Sequence, residues 1–333
     1  MELCMQASEL ANNVVFNAIL IVVIIISATA IVVEIWVMFK TTNRILLHRN
    51  TRILIITHQL WLILHCAARI FAHLYVLVSY QKTYTNPCGY MTFPWECFMM
   101  RTPITLTLFL NAASIPTVVI ERALATYFSA RYERSGRSVT VILFIAQLAI
   151  GFGSFFFIVS NFNLFDSKKV VYCSTANEGN ALKSAIVFGF YTTIDFISAL
   201  TLPLLFCINK RFHRSKIHVN LSHRYQIMEN INSLQTLSPM VAFYSAFLAI
   251  FLGALFMCFV VDFKFSPKQF AIYLESTQQT PLYALTLPIA IVWTEKYVKK
   301  TVQENCRKAM ELKGNEAANH YFTIFERPAG KNA

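Results

Sequence analysis

Seven ionisable side chains fall inside otherwise apolar runs: Glu34, His58, His65, Arg69, His73, Asp195 and Glu275. Such groups are costly away from water, so they face the interior of a helix bundle, pair with one another, or meet a ligand. At 100° per residue, His58, His65, Arg69 and His73 lie within an arc of about 80° on one helix. That stripe suits a ligand or switch surface, and interhelical hydrogen bonding accounts for it equally well. The spacing argues against a metal site, because no histidine stands three or four residues from another within a run together with a carboxylate. There is no Walker loop, H-E-x-x-H, G-x-S-x-G or paired carboxylate. The chain therefore shows no enzyme site and calls for no cofactor and no metal.

Depth arithmetic pairs two of these charges. Arg69 lies about 24 Å up its helix from the inner end, and Glu275 about 7 Å down from the outer end of another. In a core of about 30 Å the two sit at nearly the same level. Arg101 is a rival partner for Glu275, and a ligand carboxylate is a rival for either arginine. The candidate ligand-binding set is Arg69, His73, Arg101, Tyr191, Asp195 and Glu275, with Tyr75 beside His73.

The elements that must position these residues are legible in the composition. The chain is 56% hydrophobic and only 14% charged, well below the roughly 25% charged residues of soluble domains. Seven runs have about membrane-spanning length: 17–39, 53–79, 98–120, 139–160, 184–208, 240–261 and 270–293. The net charge of +12 is spread over loops that alternate with these runs, a membrane pattern and not a nucleic-acid patch. Lys40, Arg44, Arg49 and Arg52 mark the first inner loop, Arg122, Arg131, Arg134 and Arg137 the second, and Lys210, Arg211, Arg214, Lys216 and Arg224 the third. The expectation is an all-α membrane protein, a seven-transmembrane helix bundle with its N-terminus outside and C-terminus inside. Residues 1–16 would be extracellular, 17–293 the bundle, and 294–333 a cytoplasmic tail. Pro116, Pro203, Pro281 and Pro288 fall inside the runs as candidate kinks.

Cys4, Cys88, Cys97 and Cys173 map to the oxidising face, where disulfides persist. A Cys97–Cys173 bridge would pin the long outer loop over the bundle mouth. Cys4 and Cys88 are then left to pair, although four cysteines allow three connectivities. On the inner face, residues 295–313 read as a juxtamembrane amphipathic helix, with Val298, Val302, Cys306 and Met310 on its apolar side. Such a helix would lie along the inner leaflet, with Cys306 as a palmitoylation site.

Several stretches resemble a known family. These are Leu64-His65-Cys66-Ala67-Ala68-Arg69-Ile70-Phe71-Ala72-His73, Asn86-Pro87-Cys88 followed by Cys97 and Arg101, Ile115-Pro116 leading to Ile120-Glu121-Arg122-Ala123-Leu124, and Leu221-Ser222-His223-Arg224-Tyr225-Gln226 with Glu229-Asn230. Together they resemble nematode serpentine chemoreceptors of class alpha-beta, with class alpha a close second. The resemblance implies a G-protein-coupled receptor in the plasma membrane of chemosensory neurons, cilia included. It implies a small-molecule ligand, the lipid bilayer and a heterotrimeric G protein as partners. Glu121 and Arg122 would take the place of the acid–arginine pair at the inner end of the third helix in rhodopsin-like receptors. Arg211 and Arg224 would then face the G protein. The seventh run reads Leu287-Pro288-Ile289-Ala290-Ile291 without Asn-Pro-x-x-Tyr, so the rhodopsin-type switch there does not carry over. The alternative reading is a seven-helix ligand-gated channel or transporter, which inverted repeats or broken Gly-rich helices would support, and the sequence shows neither.

Overall fold

The computed structural model describes residues 1–42, 47–128, 132, 136–160, 168–174, 180–215, 221–260 and 265–311. Its helices are α1 Glu2–Ala11, α2 Val14–Val37, α3 Arg49–Tyr80, α4 Pro94–Tyr127, α5 Ser138–Val159, α6 Ala181–Ser215, α7 Leu221–Val260, α8 Pro267–Thr277 and α9 Thr280–Glu311. Six of them, α2 to α7, are long and apolar enough to cross a membrane. The seventh crossing is shared between α8 and α9.

Local chemistry sets the helix starts. The Asn13 side chain accepts from Phe16 N at the head of α2, at 2.9 Å. Pro94 opens α4, and the Glu96 carboxylate accepts from Phe93 N at 3.3 Å. In α8 Ser266 and Gln269 cap one another reciprocally, with Pro267 at the first helical position. Pro281 falls in the first turn of α9 and not in a helix interior, so its missing N–H leaves no bond broken. Pro103, Pro116, Pro203, Pro239 and Pro288 are the interior prolines.

Neighbouring helices form a ring that α2 and α9 close, with α4 packed against α3, α5 and α6. α4 is the most buried of the six. Gly151 permits its close approach to α5: a Cβ there would stand 2.6 Å from Leu110 Cδ2. Beside it Gln147 Nε2 donates to the Leu110 carbonyl at 3.0 Å. The main apolar core draws Leu54 and Leu62 from α3, Ile115 and Val118 from α4, Leu205 from α6, Leu237 from α7 and Leu287 from α9.

Residues 1–16 are helical and packed: α1 buries Ala7 and Leu10 against Phe16, Leu20, Val171 and Ala271. Two expectations change. The run 270–293 is not one helix, because α8 ends at Thr277 and α9 starts at Thr280. Finally, α9 continues to Glu311 without a break, about 48 Å of helix. The amphipathic stretch therefore prolongs the seventh crossing instead of forming a separate helix turned along the leaflet. The Cys306 and Arg224 side chains lie outside the described residues.

Two disulfides tie the outer face, Cys4–Cys88 and Cys97–Cys173. The loop carrying Cys173 is also pinned by paired backbone bonds between Thr92 and Val170, at 3.1 and 2.9 Å. Replacing Cys97 or Cys173 with serine should cost about 2–4 kcal/mol. Surface labelling of intact cells should then fall well below that of the unaltered chain. Equal labelling would show that the loop holds without the bond.

Candidate functional site

The outer half of the bundle is built around one carboxylate. Glu275, on α8, is fully buried. Arg69 Nη1, from α3, donates to its Oε2 at 2.9 Å, and Arg101 Nη2, from α4, donates to its Oε1 at 2.8 Å. The Tyr172 hydroxyl, from the outer loop, donates to the same Oε1. His73 Nε2 lies 3.2 Å from Oε2. Arg101 also donates to the Tyr172 hydroxyl and stacks on that ring, 5.0 Å from its centroid. Burial pushes the Tyr172 phenol well above its ordinary range, so it stays a proton donor. Arg69 Nε donates to His65 Nε2 at 3.3 Å, and His65 Nδ1 faces Thr107 Oγ1 at 3.1 Å.

The depth arithmetic thus placed Arg69 and Glu275 at one level, and the rival Arg101 joins them instead of competing. Tyr172 was missed, since nothing in a loop sequence shows which aromatic folds inward. Tyr75 is exposed and does not join the cluster. Tyr191 and Asp195 belong to a different wall. Tyr191 stacks on Phe109 with ring centroids 5.7 Å apart, and its hydroxyl lies 3.1 Å from Ser154 Oγ. Asp195 is buried with its Oδ1 unpartnered among the described residues.

Beneath the cluster a cavity of about 30 Å³ is lined by Asn111, Tyr244, Phe247, Phe251, Gln279 and Tyr283, among others. Two of its walls are joined through α3. The Tyr283 hydroxyl lies 2.9 Å from His58 Nε2, and His58 Nδ1 lies 2.5 Å from Ser114 Oγ. Ser114 Oγ donates to the Asn111 carbonyl at 2.5 Å. Because that proton is committed, the serine accepts from His58 Nδ1–H, and Nε2 accepts from Tyr283. Glu34, further toward the inner face, accepts from Gln59 Nε2 at 2.8 Å.

The inner end holds a second buried ion pair. Arg122 Nε and Nη2 donate to Glu121 at 2.6 and 2.5 Å, a two-pronged contact within α4. Thr51 Oγ1, from α3, donates to Glu121 at 3.0 Å, and the Tyr132 hydroxyl donates to it from the inner loop. Burial and the Glu121 carboxylate both push the Tyr132 phenol above its ordinary range. Arg122 Nη1 reaches across to Asn230 Oδ1 on α7 at 3.0 Å, and Asn230 Nδ2 donates to the Ala125 carbonyl at 3.2 Å. Asn50 Nδ2 closes the group on Tyr132 at 3.0 Å. Neither Glu121 nor Arg122 reaches water, so this pair is not a snorkelling pair at the membrane edge. Arg211 is exposed at the inner end of α6.

A family model for the serpentine seven-transmembrane receptors of class ab, a chemoreceptor class, matches residues 1–329. The chain belongs to that family. Among curated proteins it is 25% identical to serpentine receptor class alpha/beta-14 of Caenorhabditis elegans over 280 residues, 80% of this chain and 69% of that one. It is 21% identical to serpentine receptor class alpha-39 of the same organism over 169 residues, half of this chain and 44% of that one. The class ab chain is accordingly a multi-pass membrane protein with a receptor-type helical bundle. Both buried ion clusters lie within the matched span.

Proposed function

We propose that this class ab chain detects a small organic molecule from outside and activates a heterotrimeric G protein at the plasma membrane of a sensory cell, cilia included. The observation that carries the reading is the fully buried Glu121–Arg122 pair, which reaches α7 through Asn230. A charge held inside the inner mouth by groups on α3, α4, α7 and the inner loop is a bistable element. Moving α7 outward breaks the Asn230 contact and frees the guanidinium to face the cytoplasm. A ligand that favours the open bundle shifts that balance by its difference in affinity for the two states. In this reading the Glu275 cluster clasps the outer mouth, Tyr191 and Asp195 form the wall below it, and Arg211 and Arg224 meet the G protein.

The broken seventh crossing is the one feature that favours a channel or transporter. The family match weighs against that reading, and ligand-gated ion current in voltage-clamped cells without G protein would reverse the choice.

The test is a G-protein activation assay in heterologous cells against an odorant panel, run beside Arg122→Ala. Compared at matched surface density, the variant should bind ligand while activation falls at least about tenfold, as expected when a buried charged contact worth ~1.5–3 kcal/mol is lost from the coupled state. Undiminished activation would make Arg122 a packing residue and remove the main support for the reading.

A further inference from the structure

Two guanidinium groups face one carboxylate in the outer cluster. Arg69, Arg101 and Glu275 carry two positive charges and one negative, and no other carboxylate contacts them among the described residues. Arg69 is fully buried, yet its Nη2 has no hydrogen-bond partner among the described residues; nor does Nδ1 of the adjacent His73. A buried donor with unmet valence and an uncompensated charge are both costly, and a second anion would satisfy both. Guanidinium takes a carboxylate with two parallel bonds, and Arg69 offers the free prong.

Glu275 stands on a short helix next to a break in the chain's helical run. Its helix, α8, is only 11 residues long and is separated from α9 by the break at Gln278 and Gln279. The roof over the cluster is Tyr172, on a loop held by the Cys97–Cys173 bond. Tyr172 packs with Phe251 and Leu274, and Phe251 also lines the cavity below. Apolar side chains are therefore packed in continuity from the cluster's roof to the lining of the cavity.

We propose that the ligand of this site is a small monocarboxylate with a short apolar tail, and that Glu275 occupies its place as an internal stand-in. This rests on the receptor reading above and names the ligand class. The incoming carboxylate takes Arg69 and Arg101 from Glu275, and its tail points past Phe251 toward the cavity. Glu275, displaced, lets α8 swing at the break. The same displacement disturbs Tyr283, which joins the cavity to His58.

The proposal makes a prediction of unusual sign. Neutralising the stand-in should tighten ligand binding, because the arginines lose their internal competitor. Purified full-length chain in nanodiscs would be titrated with butyrate and with butyramide, its neutral near-isostere, at constant ionic strength, following thermal unfolding. Butyrate should stabilise saturably and butyramide should not. Arg69→Gln should abolish the effect. Glu275→Gln should lower the butyrate concentration for half-effect about tenfold, the change expected for a shift of ~1.4 kcal/mol. Equal effects of butyrate and butyramide overturn the proposal, as does chloride acting as well as butyrate. An unchanged or weakened butyrate response in Glu275→Gln does so too. Should Glu275→Gln fail to fold, the same titration on Arg101→Lys decides: a retained full response overturns the proposal, and a weakened one supports it. The readout is binding alone. Butyrate that binds without G-protein activation would count against the receptor reading and leave this site standing. A neutral odorant whose activation survives Arg69→Gln would do the reverse.

Discussion

Glu275→Ala should leave most of the chain unable to reach the cell surface. The substitution deletes the partner of two buried guanidinium groups and of the Tyr172 hydroxyl at once. Removing one side of a buried pair costs about 3–5 kcal/mol, against a total stability of about 5–15. Arg69→Ala should cost less, because Arg101 and Tyr172 still satisfy the carboxylate. The shared carboxylate also separates a hub from a simple pair. In a pair, exchanging the residues as Arg69→Glu with Glu275→Arg restores much of the loss. In the hub, arginine at 275 would face Arg101, so the exchange should restore little. Surface delivery of the two single variants and the exchange, read as a double-mutant cycle, measures this. Near-complete rescue by the exchange would show that Arg101 and Tyr172 contribute nothing to the contact.

The second large effect belongs to the inner pair, within the receptor reading. Glu121→Gln keeps the shape of the side chain and removes its charge. The residue accepts from Arg122, Thr51 and Tyr132 in the closed bundle. Charge-assisted bonds contribute about 1.5–3 kcal/mol each, so a net loss of about 1.4 kcal/mol from the closed state, about half of one such bond, should raise the open population roughly tenfold. Ligand-independent G-protein activation should rise accordingly in cells expressing Glu121→Gln, at matched surface density. Asn230→Leu, which removes only the bridge to α7, should give a smaller rise of the same sign. A fall in basal activity for both would mean that the pair supports the open state.

What could be read ahead of the structure follows from the range of each signal. Six crossings were legible because uncharged runs of membrane length are a local property. The break after Thr277 was not legible, because Gln278 and Gln279 look like two polar residues within one apolar run. The level of Arg69 and Glu275 followed from counting residues along straight helices. Their company did not: His73 lies one turn from Arg69, but Tyr172 arrives from a loop whose fold no periodicity reports. The same limit hid Thr51, Tyr132 and Asn230 from Glu121 and Arg122. The Thr51 and Asn230 contacts join positions 70 and 108 residues apart, beyond the reach of any spacing rule, and Tyr132 comes from a loop. Asn230 did stand in a stretch that marked the family resemblance, and that was its only sequence signal.

The two outer disulfides close rings that follow one another along the chain, residues 4 to 88 and then 97 to 173, without crossing. During synthesis into an oxidising lumen, Cys88 emerges nine residues ahead of Cys97, so pairing with Cys4 is open to it first. Once Cys4 and Cys88 are joined, Cys97 is left to Cys173. The order of emergence therefore favours the observed connectivity over the other two whenever the first ring closes promptly. Newly made chains should need little thiol reshuffling, provided that translation does not outrun closure of the first ring.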